Sequence, residues 1–159
     1  MNTNKPQIIE LIKNKKAYHD YLLEDKFTAG LVLEGWEVKA IRQHKINLSD
    51  SHVIIRQQEC FLIGAHVTPL PTTANYLKAD PTRTRKLLLQ RREISKLVGA
   101  VQQKGYTIVP CSLFLKDNLI KIQVALAKGK KHHDKRQAEK EKSWKREKQQ
   151  LLKNQIKKT

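Results

Sequence analysis

Cysteine is scarce in this 159-residue chain. Cys60 and Cys111 are the only two, far apart and without CxxC spacing, which excludes a disulfide framework and a thiolate zinc ribbon. Both lie in apolar runs and read as buried thiols. Aromatic residues make up 6% of the chain and there is a single methionine. Neither a signal peptide nor an apolar run long enough to span a bilayer occurs, so the chain reads as cytoplasmic with no membrane partner. Acidic residues are few: fifteen Asp and Glu against thirty-two Lys and Arg, a net charge of +17.

That excess is far above the charge of about 2–8 that solubility asks of a small domain. A field of this sign favours polyanions: nucleic acid, acidic proteins or anionic membranes. The hydrophobic fraction of 39% still supports an ordinary core. The length suits one domain plus an appendage.

The pattern along the chain is strand-rich. Residues 1–13 read as a flexible N-terminus. From about Ala17 to Leu33, alternation puts Phe27, Ala29, Leu31 and Leu33 on one face, with Gly30 expected to mark a bulge or bend. Gly35-Trp36 breaks this strand, and Trp36 to Arg42 reads as a short helix. Its Val38–Ile41 face outweighs any pairing by Glu37, and Trp36 reads as a packing anchor. His52–Arg56 and Cys60–Val67 form a hairpin across Gln57-Gln58-Glu59. Pro69, Pro71 and Pro81 make residues 68–84 a loop. Glu93–Lys104 carries the stripe Ile94, Leu97, Val98, Val101, with Gly105 where a C-cap belongs. Two strands follow, Tyr106–Leu115 and Leu119–Leu126, joined by a turn at Lys116-Asp117-Asn118. The fold class is mainly β with flanking helices, and an OB-like barrel over residues 14–127 is one such fold.

At Lys128 the composition shifts. Residues 128–159 hold thirteen basic and four acidic residues, about half the excess charge in a fifth of the chain. Apolar residues there are too sparse to offset an ordering entropy of roughly 1–2 kcal/mol per residue. Helix-forming residues abound, and the only glycine is Gly129. The tail is therefore expected to be disordered when free and helical when bound.

Four segments then carry a specific resemblance: Asn14-Lys-Lys-Ala-Tyr-His-Asp-Tyr21 running on to Phe27-Thr-Ala-Gly30; Leu33-Glu-Gly-Trp-Glu-Val-Lys39; Asp80-Pro-Thr-Arg-Thr-Arg-Lys-Leu-Leu-Leu89; and Ala127-Lys-Gly-Lys-Lys-His-His-Asp-Lys-Arg136. In order and spacing the chain resembles the SmpB family, the SsrA-binding proteins. The resemblance implies an OB-like barrel and a non-enzymatic role in trans-translation. It implies binding to the tRNA-like domain of transfer-messenger RNA (tmRNA), delivery with elongation factor Tu to a stalled ribosome, and mimicry of an anticodon stem beside small-subunit ribosomal RNA. The incomplete protein is then tagged for degradation.

Site expectations follow from residue type and resemblance together. Arg83, Arg85 and Lys86 beside Leu87-Leu88-Leu89 are either a solvated cluster or a phosphate clamp, which the planar guanidinium fork suits; the resemblance favours RNA contact. It also places Leu88 and Lys121 at tmRNA-contacting positions. His19 and Tyr21 could stack on bases, although a buried tyrosine in the first strand is an equal alternative. Thr28 departs from the glutamate common in the family, so that contact is expected to be made differently here. In the tail the resemblance assigns Lys130, Lys131, His133, Asp134, Lys135 and Arg136 to the decoding centre and mRNA channel, with Trp144, Leu151 and Leu152 as a docking face near the end. Catalysis by a His-Asp pair in residues 132–134 is disfavoured, because adjacent side chains point apart in a charged segment without a pocket. A metal site joining His132 and His133 to His52 or His66 lacks a third ligand at suitable spacing. No cofactor is implied.

Overall fold

The computed structural model describes residues 5, 7–73, 76–103, 105–130 and 142–153. The chain divides into two units, Met1–Lys128 and Gly129–Thr159.

The first unit is built on antiparallel strands that close on themselves. Strand β1 (Ile8–Lys13) is followed by helix α1 (Lys15–Asp20), β2 (Tyr21–Leu31), α2 (Gly35–Arg42), β3 (Ile46–Asn47), β4 (His52–Arg56), β5 (Glu59–Ile63) and β6 (His66–Val67). A 3₁₀ turn at Tyr76–Lys78 interrupts the proline-rich loop, and β7 (Arg85–Leu88), α3 (Arg91–Gln102), β8 (Tyr106–Lys116) and β9 (Leu119–Gly129) complete the order. The main sheet runs β1-β8-β4-β5-β7-β2-β9, and β9 also pairs with β8. Six strands therefore form a ring, with β1 added along β8. Strands β3 and β6 pair separately. Closure removes most open edges, which otherwise invite strand pairing. Among the described residues, no helix is long and apolar enough to cross a membrane.

Period-2 alternation fills the ring. Cys60 and Leu62, Leu87, Ile108 and Leu113, and Ile122, Val124 and Leu126 point inward and are buried. Each such leucine or isoleucine contributes about 1.5–3 kcal/mol by leaving water. Ala29 is buried, and Phe27, Leu31 and Leu33 pack on the core as the alternation predicted. Ala40 and Ile41 of α2, and Leu97 of α3, cover the same core. Outside the ring, Ala17 of α1 packs with Val109, Ala127, Tyr21 and Leu23. That second layer explains why β9 is buried continuously from Val124 to Ala127. Both cysteines are buried free thiols, and burial pushes Cys111 up to about 11.

Several boundaries move from the sequence expectation. Residues 8–13 of the segment expected to be flexible form β1, held to β8 in register from Ile8↔Lys116 to Lys13↔Ser112. The long strand expected from Ala17 starts only at Tyr21, because Ala17 to Asp20 belong to α1. Its N-cap Asn14 accepts the Ala17 amide at 3.3 Å, and its side-chain amide donates to the carbonyls of Pro110 (2.9 Å) and Leu48 (3.2 Å). Three chain segments thus converge on one buried asparagine. Helix α3 begins at Arg91, upstream of Glu93, because Gln90 and Glu93 form a reciprocal capping box. Gly105 takes φ +87° just past the helix, as a C-terminal glycine should. Strand β9 continues to Gly129, so Lys128 belongs to the sheet and stacks its ammonium over Tyr106 at 4.6 Å. Both hairpin turns put two residues at positive φ, Gln57-Gln58 and Asp117-Asn118, the pattern that suits strand twist.

In the second unit, residues 142–153 are helical. Trp144, Leu151 and Leu152 are exposed on it, at spacings that keep them near one face.

Candidate nucleic-acid interface

Strand alternation decides which side chains reach the outer surface of the ring. On β7, Arg85 and Leu87 point inward, so Lys86 and Leu88 point out. Leu88 is 54% exposed. It pairs in register with Gly30 of β2, and Leu87 with Leu31. No bulge interrupts this pairing. Both neighbouring strands come close to Gly30: a Cβ there would lie 3.4 Å from Leu88 Cβ and Cδ1 and 3.7 Å from Lys121 Nζ, in ordinary van der Waals contact. The structure thus brings Leu88 and Lys121 together from strands thirty-three residues apart in sequence. Thr28, two positions before Gly30 on β2, is exposed on the same side.

The outer row continues beyond Lys121. Its cross-strand partner on β8 is Phe114, and the partner of Phe114 on β1 is Glu10. Glu10, Phe114, Lys121, Gly30 and Leu88 therefore form one line across five strands. Lys86 extends the surface on β7 and pairs with Glu59 at 3.1 Å, both side chains being a little under half exposed. An exposed pair of that kind contributes about 0–1 kcal/mol and leaves the lysine available to a phosphate.

Arg83 and Arg85 are placed differently from the expected clamp. The Arg85 side chain is 1% exposed and the Glu37 side chain 0%. Arg85 Nε donates to Glu37 Oε2, while its two terminal nitrogens donate to the carbonyls of Ala65 and Pro81, both at 3.1 Å. Arg83 donates to Glu37 Oε1 and to the Val32 carbonyl at 3.1 Å, and its Nε lies 3.6 Å from Glu34 Oε1. The guanidinium of Arg85 is satisfied inside the protein and cannot grip a phosphate. Its role is to fasten β7 to α2. Arg83, 27% exposed, is the rim of the same cluster.

Glu37 is the centre of this network, contrary to the minor part expected of it. Burial alone would raise its pKa, but hydrogen bonds from Arg83, the Glu34 backbone region and Arg85 hold it below the ordinary glutamate value. It also caps α2, accepting the Glu34 amide at 2.8 Å in a capping box. Nothing local announced that arginines forty-six and forty-eight positions later would close on it. Trp36 packs on the core as an anchor, its indole N–H donating to Glu34 at 2.6 Å.

His19 and Tyr21 lie elsewhere. His19 Nδ1 is 3.0 Å from Asp20 Oδ1 at the end of α1. Tyr21 opens β2 and packs half-buried against Ala17, Val109 and Ala127, closer to the buried reading than to a stacking platform. Nine positions of β2, roughly 30 Å of extended chain, separate it from Gly30. The structure does not join these two to the Leu88–Lys121 surface. In the tail, Lys130 is half-buried, while Trp144, Leu151 and Leu152 are exposed. Lys131, His133, Asp134, Lys135 and Arg136 lie outside the described residues.

Comparison with known proteins gives this surface its context. The family described as "SmpB protein" matches residues 11–154. An SsrA-binding protein from Coxiella burnetii is 55% identical over 96% of both chains. One from Bordetella parapertussis is 53% identical over 92% of this chain and 94% of its own. A solved structure described as "tmRNA-SmpB: a journey to the center of the bacterial ribosome" superposes with a TM-score of 0.65 at 34% identity, covering 78% of this chain and 87% of that one. A family match across the ring and into the tail, with relatives identical at more than half of the aligned positions, is decisive: the chain belongs to the SmpB family of SsrA-binding proteins.

Proposed function

We propose that this protein is the non-enzymatic RNA-binding partner of tmRNA in trans-translation, acting on stalled ribosomes in the cytoplasm. The ring of strands, an OB-like barrel, holds the tRNA-like domain of tmRNA through its outer row. Lys86 and Lys121 neutralise phosphates, and Leu88 gives an apolar contact between them. Residues 130–159 enter the decoding centre and mRNA channel as a helix, with Lys130, Lys131, His133, Asp134, Lys135 and Arg136 at the decoding centre and Trp144, Leu151 and Leu152 as a docking face. Elongation factor Tu accompanies the delivered complex.

The observation that carries this reading is the juxtaposition of Leu88 and Lys121 across Gly30, on the outside of a chain with net charge +17 whose relatives are SsrA-binding proteins. Family membership also argues against catalysis. Among the described residues no group of three His, Cys, Asp or Glu could hold a metal ion.

The test is binding of the full chain to the tRNA-like domain of tmRNA, to an elongator tRNA and to a structureless RNA, titrated across salt. A preference for the tRNA-like domain that persists at physiological salt is expected. Equal affinities collapsing together as salt rises would leave a generic polycation and overturn the reading.

A further inference from the structure

The outer row does not end at Lys121. Beside it, a groove of about 470 Å³ opens over the β1–β8 margin. Its walls include Glu10, Tyr18, Thr28, Phe114, Lys116 and Gln123. Phe114 is partly buried yet points away from the core, since Leu113 and Leu115 on either side of it take the inward packing. A phenyl ring left on the outside of a strand, directly opposite Lys121, is a flat apolar surface beside a cation. Tyr18 supplies a second ring, with the Lys13 ammonium 4.5 Å from its centroid and that of Lys26 5.3 Å away.

Glu10 stands opposite Phe114 on β1. Among the described residues its carboxylate has no ion-pair partner, although lysines surround the groove. An ionised carboxylate only accepts hydrogen bonds. Among nucleobases, only guanine presents two adjacent N–H donors on one edge, at N1 and the exocyclic N2. Adenine, cytosine and uracil each set an acceptor beside their donor there and would face the carboxylate with repulsion. Gln123, outward on β9 one pleat along from Lys121, carries both a donor and an acceptor at the same groove.

We propose that Phe114 and Glu10 form a base-reading subsite at the β1 margin of the RNA face: an unpaired guanine stacks on Phe114 and offers N1–H and N2–H to Glu10, while Lys121 holds the adjoining phosphate. This rests on the RNA-binding reading above and extends it from phosphate contact to base identity. The occupant is RNA because the groove adjoins the Lys121–Leu88 row through Phe114 and is lined by two lysines, Lys13 and Lys116, together with the rings of Tyr18 and Phe114. Stacking platforms of this kind serve single-stranded segments.

The experiment uses the full chain and the tRNA-like domain of tmRNA. Phe114→Ala and Phe114→Leu are expected to weaken binding about 5- to 150-fold, the range of one lost base stack, with an unchanged salt slope because no charge is removed. Phe114→Tyr keeps a ring and should retain binding. Circular dichroism and a urea midpoint for each variant separate lost binding from lost folding. In the second arm, each unpaired guanosine of the RNA is replaced in turn by inosine, which lacks the N2 amino group. One position should weaken binding to the wild-type chain by roughly tenfold, and that penalty should vanish in Glu10→Ala, which removes the acceptor. If folded Phe114→Ala or Phe114→Leu binds like the wild type, the stacking site is wrong. If no inosine penalty exists, or it persists in Glu10→Ala, guanine reading by Glu10 is wrong. Failure of the wild-type chain to prefer this RNA at all is the separate result that overturns the underlying function.

Discussion

Replacing Glu37 with Gln should be among the most damaging single changes in the ring, although no residue of the proposed RNA surface is altered. The substitution keeps the size of the side chain and removes one negative charge. Arg85, 1% exposed, then keeps its two carbonyl partners but loses its counter-ion. Arg83 loses its most buried contact. Removing one member of a buried ion pair costs about 3–5 kcal/mol, because a charge is left without compensation in low dielectric. A domain of this size has only about 5–15 kcal/mol in all. With a urea m-value of about 2 kcal/mol/M, the midpoint should fall by roughly 2 M. Equilibrium unfolding followed by far-UV circular dichroism and by Trp36 fluorescence measures it. The double variant Glu37→Gln with Arg85→Met removes the stranded cation and should recover part of the loss. A Glu37→Gln midpoint within about 0.3 M of the wild type, or a double variant that merely sums the two single losses, would refute the reasoning that the pair is buried and coupled.

The same network predicts acid sensitivity. Because the folded-state pKa of Glu37 lies below its unfolded value, its contribution is complete at neutral pH and is lost as pH falls below about 4.3 and through the folded pKa; the pH dependence of the urea midpoint should flatten in that window in Glu37→Gln. Lys121→Ala should reduce the slope of log affinity for RNA against log salt by about one, whereas Arg85→Ala should lower stability and leave the slope of the folded fraction unchanged. Equal slopes for wild type and Lys121→Ala would remove that lysine from the phosphate contacts. Deleting residues 129–159 should leave most affinity for the tRNA-like domain and abolish tagging in a trans-translation assay; parallel loss of both would sink the division of labour between ring and tail.

Much of this protein was written in its local chemistry. The alternation of Phe27, Ala29, Leu31 and Leu33 assigned an inward face that the core bears out. The stripe through Leu97 placed α3, although its last member, Val101, is exposed, and the turns expected at Gln57-Gln58-Glu59 and Lys116-Asp117-Asn118 tighten to Gln57-Gln58 and Asp117-Asn118, with Glu59 and Lys116 in the strands. The charge imbalance and four ordered segments pointed to an RNA-binding family before any fold was drawn. Period and propensity act between near neighbours, so they survive in the one-dimensional record. Strand β1 escaped because its exposed Ile8 and Ile9 break the alternation of a half-buried strand, and its pairing partner lies a hundred residues away on β8.

The fate of the charged residues was a tertiary matter. Arg83, Arg85 and Lys86 look alike in sequence, yet strand parity turns Lys86 outward and Arg85 inward. Only the packing of α2 against the 80s loop supplies Glu37 to receive it. A guanidinium suits a phosphate and a buried carboxylate equally well, so residue type could not choose between them. Likewise Gly30, Leu88, Lys121, Phe114 and Glu10 become one surface only when five strands fall into register. The sequence by itself determined the class of the fold, the sign of the partner and the family. Closure of the ring decided which cations lie on the outer surface and which hold the protein together, because burial and register are properties of neighbours that the chain meets only after it has folded.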